Sequence, residues 1–172
     1  MTDTRVAKRL AVLQAMTAQI QTITPANGYN IDLSQSVFRG RTKFGDDEAL
    51  PAVSILEATQ PGAIKVATED ETFRSSRWPL LVQGWVKDDK SNPLDPAYYL
   101  CACVSERLAA VVAVNPANGN AINPAIYRFG KLIAGMEVGP GICRPPDQYS
   151  ARAQFFMPVS VEFVDNAANP WV

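Results

Sequence analysis

The sequence contains no histidine. That removes the commonest general base, metal ligand and near-neutral pH switch, and with it every Ser-His, Cys-His and His-containing zinc arrangement. Charge of one sign is missing too: 16 Lys and Arg face 17 Asp and Glu, for a formal net charge of -1, and charged residues make up 19% of the 172. Such a balance excludes disorder through charge repulsion and a basic nucleic-acid surface on the whole-protein scale. No stretch approaches the roughly 18 consecutive apolar residues of a membrane span, and residues 1–5 are not followed by the uninterrupted apolar core of a secretory signal. A soluble protein made in the cytosol is expected, with no membrane partner. A phosphate-cradling Gly-x-x-x-x-Gly-Lys-Ser/Thr loop is absent, and Gly139-Pro140-Gly141 lacks the third glycine and the following helix of a dinucleotide fingerprint.

Cysteine is scarce and odd in number: Cys101, Cys103 and Cys143. Two of them lie next-nearest in an alanine-rich apolar run, which reads as small buried packing residues and not as a disulfide framework. The second Cys pair of a structural zinc site is missing, so no metal and no cofactor are expected. What the chain does have is apolar content, 47% of residues. A chain of this length buries roughly 70% of its unfolded surface, enough for one self-sufficient core, and a single domain over residues 1–172 is expected.

Along residues 4–23, Val6, Leu10, Leu13, Met16 and Ile20 recur at helical spacing, predicting an amphipathic helix with Thr2 or Asp3 as its cap and a stop at Thr24-Pro25 and Asn27-Gly28. Arg9 falls near the middle of that stripe, so its stem lies along the core or its face meets another subunit. Residues 29–33 alternate as a half-buried strand does, with Val37-Phe38 as an extension. Residues 52–58 read as a second strand, and residues 60–76, without sustained period, as a long exposed loop of the kind that is usually functional or mobile. Residues 77–87 read as a strand with Trp78 and Trp85 on opposite parities, Gly84 marking a bulge or close backbone approach, and Pro79 placing it at an edge or beginning it. Asp95-Pro96 predicts the capped start of a second helix, nearly apolar all round, with Leu94, Tyr98, Cys101, Val104, Leu108 and Val111 in phase. After an irregular stretch, residues 131–138 read as a strand and residues 139–147 as a loop. The clearest strand is last: Ala153, Phe155, Met157, Val159, Val161 and Phe163 fill every odd position, while the other face mixes Gln154, Ser160 and Glu162 with Phe156 and Pro158. The order predicts an α+β fold, one mostly antiparallel sheet packed against two helices.

Candidate chemistry is thin. Asp46-Asp47-Glu48, Glu69-Asp70-Glu71 and Asp88-Asp89 are contiguous, so neighbouring carboxylates diverge instead of converging on a cation, and solvated loop charge is the better reading. Paired carboxylates for a hydrolase come from different elements, and nothing here selects two of them. In an extended segment Arg39, Arg41 and Lys43 would point one way, either as a solvated stripe balanced by the acids after it or as a contact for phosphate or an acidic partner surface. Trp78, Trp85, Phe155 and Phe156 read as core. Trp171-Val172, after Asn166-Ala167-Ala168-Asn169-Pro170, sits where chains fray unless docked, and a neighbouring subunit is one candidate dock.

Three stretches together carry a resemblance: Val37-Phe38-Arg39-Gly40-Arg41-Thr42-Lys43-Phe44-Gly45 running to Leu50-Pro51-Ala52-Val53-Ser54-Ile55-Leu56-Glu57; Leu80-Leu81-Val82-Gln83-Gly84-Trp85-Val86-Lys87 running to Pro93-Leu94-Asp95-Pro96-Ala97-Tyr98; and Gly139-Pro140-Gly141-Ile142-Cys143-Arg144-Pro145-Pro146-Asp147 leading into the last strand. With the element order and length, they resemble the tail terminator, or tail completion, proteins of tailed bacteriophages. The resemblance implies a non-enzymatic virion subunit, assembled in the host cytoplasm. It would close with copies of itself into a ring, a hexamer in the long-tailed cases, cap the tail tube protein and join it to a neck or head-completion protein. A head-completion or neck adaptor contacting the portal is the alternative. DNA would pass through such a ring without specific binding, which a near-neutral charge suits. A head-to-tail ring needs two complementary patches per subunit. Candidate subunit-interface residues are Phe156, Trp171 and Val172, with the apolar second helix as a further patch, and candidate partner or lumen contacts are Arg39, Arg41, Lys43, Glu69, Asp70, Glu71 and Arg74.

Overall fold

The structure, a computed structural model, describes residues 5–45, 48–58, 72–146 and 152–172. In chain order its elements are α1 (Lys8–Gln21), β1 (Val37–Arg39), β2 (Ala52–Glu57), β3 (Phe73–Val86), α2 (Asp95–Ala109), α3 (Arg128–Lys131), β4 (Gly135–Val138), β5 (Ile142–Arg144) and β6 (Ala153–Asn166). The frame is the antiparallel pair β3 and β6, in register from Phe73 opposite Asn166 to Val86 opposite Ala153. The sheet runs β1-β2-β3-β6-β4, with β5 on β6 farther along its length; β1 and β2 are parallel and every other pair is antiparallel. This is the expected α+β fold, as a six-stranded mixed sheet with three helices.

Both prolines inside the long strands sit where no ladder bond is lost. The Pro79 carbonyl accepts from Ala58 just where β2 ends, so the ring faces an unpaired edge of β3; the Pro158 carbonyl accepts from Gly139 in the gap between β4 and β5. Alternation along β6 is complete: Ala153 to Asp165 are buried at every odd position. Those residues meet β3 through Trp78, Leu80 and Val82, and α1 and α2 close over them. Trp78 and Phe163 pack with ring centroids 5.7 Å apart, and the Arg9 guanidinium lies 5.2 Å over Trp78 and 5.5 Å over Phe163. The arginine thus stays within its own chain, stem along the core.

α1 buries Val12, Met16 and Ile20, with Gln19 and Thr17 beside them. Burying each such apolar side chain contributes roughly 1.5–3 kcal/mol. The polar neighbours are paired: Gln19 Nε2 donates to the Arg107 carbonyl of α2 at 3.1 Å, and Thr17 Oγ1 donates to the Leu13 carbonyl at 2.7 Å. Of the expected stripe, Met16 and Ile20 are buried and Leu13 packs against the core, while Leu10 stays 42% exposed. The expected caps Thr2 and Asp3 lie outside the described residues; Ala7 is the N-cap, without a side-chain bond. α2 likewise starts behind Leu94, not with an Asp95 cap, and buries Ala97, Leu100, Cys101, Cys103, Val104 and Leu108 while Tyr98 is exposed. The sheet covers one side of α2 and α1 another, while Tyr98, Tyr99, Ala102 and Ala109 stay exposed.

Other expectations need correction. Residues 29–33 form no strand: the Asp32 carboxylate accepts the Ser34 N–H at 2.8 Å, closing a local turn, and Tyr29 instead reaches α2, donating to Glu106 at 3.1 Å. Residues 73–76 belong to β3 and not to a loop; residues 60–71 lie outside the described residues. Residues 131–134 precede β4 through the α3 turn, where Arg128, Phe129, Gly130 and Lys131 all take positive φ (50, 49, 68 and 74°). The expected 139–147 loop contains β5.

Candidate functional site

The sheet face turned away from α1 and α2 is the candidate site, and strand register sets its residues out in rows. One row crosses β2, β3 and β6 as Leu56, Leu81 and Pro158. The row on one side runs Ser54, Gln83, Phe156 and Ile142; the row on the other has Pro79, Ser160 and Glu137; beyond it lie Arg77 and Glu162. A solvated antiparallel face normally carries polar residues at these positions. Here the middle row is apolar, and it floors a groove of about 740 Å³ walled by Gly40, Thr42, Glu57 and Glu137. Ile142, 61% exposed, extends the apolar surface beside half-buried Phe156, over whose ring Arg144 lies at 5.7 Å.

The two ends of this face differ. At the β1 end, the loop after β1 folds back and plugs it: Phe44 packs on Trp85 at 4.3 Å and on Phe38 at 5.4 Å. The Arg41 guanidinium sits over Phe38 and Phe44 at 4.7 and 4.5 Å and pairs with Glu48. Arg152 donates to the Phe44 and Gly45 carbonyls, holding the loop on β6. Trp85 is buried by this plug although it lies on the outer face, which is how tryptophans of opposite parity are both buried. At the other end Arg77 bridges Glu137 (3.0 Å) and Glu162 (3.1 Å), all three well exposed.

The candidate cations do not stand as one free stripe. Arg39 Nη1 donates to Thr17 Oγ1 on α1 at 3.1 Å, Arg41 is held in the plug, and Lys43 is exposed at the loop's outer side. Glu69, Asp70 and Glu71 lie outside the described residues, as do Asp46, Asp47 and Asp147. Arg74 stands in β3 opposite Asp165. Phe156, expected in the core, is instead half-buried on the open face, because it falls on the even parity of β6 opposite Gln83. Trp171 and Val172 meet the chain's own N-terminal segment: Ala7 bridges Trp171, the Lys8 N–H donates to the Pro170 carbonyl at 2.9 Å, and the Val172 N–H donates to the Val6 carbonyl at 3.0 Å. Their side chains stay outside, 41% and 59% exposed, with Arg5 over the Trp171 ring at 5.2 Å. Leu56, Leu81 and Ile142 are the site residues that sequence reasoning missed; only the register, which places them beside Phe156 and Pro158, brings them into one surface.

The three thiols carry raised pKa values, away from this face. Burial pushes the Cys101 thiol up to about 11, aided by neighbouring Cys143, and raises Cys103 and Cys143 as well. Among the described residues no group of three or more His, Cys, Asp or Glu is placed to hold a metal ion, and no helix is long and apolar enough to cross a membrane. The arrangement offers shape, apolar area and a charged rim for binding. No protein-family model matches the chain, and no curated protein matches it.

Proposed function

We propose that the chain is a structural subunit of the tail-terminator kind, one that closes into a ring with its own copies on the end of a phage tail tube and joins the tube to the neck by surface contact. The observation that supports this reading is the Leu56, Leu81 and Pro158 row with Phe156 and Ile142 beside it, an apolar band across a sheet face that no helix covers among the described residues. Contiguous exposed apolar surface with a polar border is the mark of an interaction site. A head-to-tail contact needs a second, different patch. The Trp171–Val172 corner supplies it: an exposed aromatic knob topped by the Arg5 guanidinium matches an apolar groove rimmed by Glu57 and Glu137 in both hydrophobicity and charge.

Light scattering of the purified chain, with negative-stain images of isolated tail tubes, tests this. The expected result is a ring mass and decorated tube ends for the wild type, and a folded monomer that leaves tubes bare for Leu81→Asp. A wild type that stays monomeric up to about 100 μM and never decorates tubes overturns the reading, since specific contacts of this size form well below that concentration. Binding to portal rings alone would make it a neck adaptor instead.

A further inference from the structure

Cys101 and Cys143 are 42 positions apart in sequence but adjacent in the fold. β5 lies on β6 with Cys143 opposite Phe155, so the Cys143 side chain is on the covered face, toward α2. There it faces Cys101, whose sulfur lies against Gly141, two residues before Cys143, and each thiol perturbs the titration of the other. Gly141 allows the approach: a Cβ on it would overlap the Cys101 sulfur. All three cysteines are free thiols, Cys101 and Cys103 buried and Cys143 half-buried and open to a reagent. Cys103 stands apart from the pair, beside Tyr99 and Glu106 on another flank of α2.

We propose that Cys101 and Cys143 are a reversible dithiol–disulfide site, which a small disulfide oxidant closes to fasten β5 onto α2. The Cys143 thiolate attacks one sulfur of glutathione disulfide, forming a mixed disulfide and expelling one glutathione thiolate. The Cys101 thiolate then attacks the Cys143 sulfur, forming the Cys101–Cys143 bond and expelling the second glutathione thiolate. Two electrons pass from the protein sulfurs to glutathione disulfide, and the two protein thiol protons end on the two glutathione molecules. Closure ties down the strand that carries Ile142 on the open face, so the redox state sets how firmly that end of the face is held. The site stands independently of the assembly reading.

Wild-type protein is incubated with glutathione disulfide at about pH 8.5, where thiolate is more abundant, then acid-quenched, denatured and titrated for thiols. The expected count falls from three to one, with a loss of about 2 Da in intact mass and a rise in Tm on the order of 10 °C from closing so long a loop. Cys103→Ala keeps the crosslink; Cys101→Ala and Cys143→Ala each lose it. The proposal is overturned if the folded wild type keeps three thiols while the same chain in guanidinium loses two. It is equally overturned if the bond includes Cys103, if it joins two chains, if a stable mixed disulfide accumulates on Cys143, or if Tm does not rise.

Discussion

The two faces of one sheet are built from alternate residues of the same strands, and they obey different rules. On the covered face Phe155, Met157, Val159, Val161 and Phe163 follow one another without a polar interruption and are all but inaccessible beneath α1 and α2. On the open face the same strand reads Gln154, Phe156, Pro158, Ser160 and Glu162, and its apolar members stay partly exposed. The first set is what the chain needs in order to fold. The second is more than folding needs, since Leu56, Leu81 and Pro158 touch no helix and still line up across three strands. Apolar residues scattered singly over a surface call for no explanation; a register-aligned row of them does. Substitutions on the covered face should therefore change stability, and substitutions on the open face association.

The largest stability effect is expected at Gly84. The ring of Phe155 lies on its backbone, and a Cβ there would stand 2.8 Å from Cδ1 and 2.9 Å from Cζ. Gly84 pairs with Val53 on one side and Phe155 on the other, so the strand cannot retreat. Gly84→Ala should cost about 3 kcal/mol in urea unfolding, as overpacking of a rigid site does. Adding Phe155→Leu should recover part of that loss, giving a coupling energy well outside additivity. A neutral Gly84→Ala would mean that the covered face is loosely packed and that the two faces differ less in rigidity.

Periodicity made the covered face legible and left the open face nearly illegible. Six odd positions of the last strand, from Ala153 to Phe163, announce one buried face by period alone, and Gly84 in the facing strand signals a close approach. Phe156 and Pro158 break the polar alternation and mark something unusual, but period cannot say which residues of other strands stand beside them. That depends on register, fixed by long-range pairing with residues 52–57 and 73–86. The helix stripes locate most of the core-facing residues, Met16, Ile20, Cys101, Val104, Leu108 and Val111, but they also include the exposed Leu10 and Tyr98, because period alone does not fix the edges of the face that the packing of α1 on α2 covers. Residues 29–33 alternate like a strand and are not one, because the Asp32 side chain satisfies the local backbone before a neighbour strand can. The pairing of Cys101 with Cys143 has no local signature at all.

Phe44 should show an intermediate effect, because it converts one end of the open face into covered surface. Its ring lies 4.3 Å from Trp85, and Arg41 is held against it. Phe44→Ala should cost about 2 kcal/mol, less than the roughly 3–5 kcal/mol of a fully buried Phe because Phe44 is only half-buried. Loss of the plug wets Trp85, so the fluorescence emission maximum should shift to the red, whereas Leu81→Asp, farther along the face, should leave it in place. A Phe44→Ala protein with unchanged emission would show that β-sheet neighbours alone, without the loop, keep Trp85 dry.

The smallest effect belongs to the charged border at the opposite end. Arg77 lies 3.0 Å from Glu137 and 3.1 Å from Glu162, but the three side chains are 61, 65 and 48% exposed, so water competes for each partner and salt screens what remains. Arg77→Ala should change the unfolding free energy by no more than about 0.5 kcal/mol, and little of that should survive in high salt. A loss above about 1 kcal/mol would mean that the border holds the β3–β6 ladder together. A small loss in stability accompanied by a salt-dependent change in association rate would assign Arg77, Glu137 and Glu162 to the approach of a partner, where exposed charges act through steering more than through the strength of the final contact.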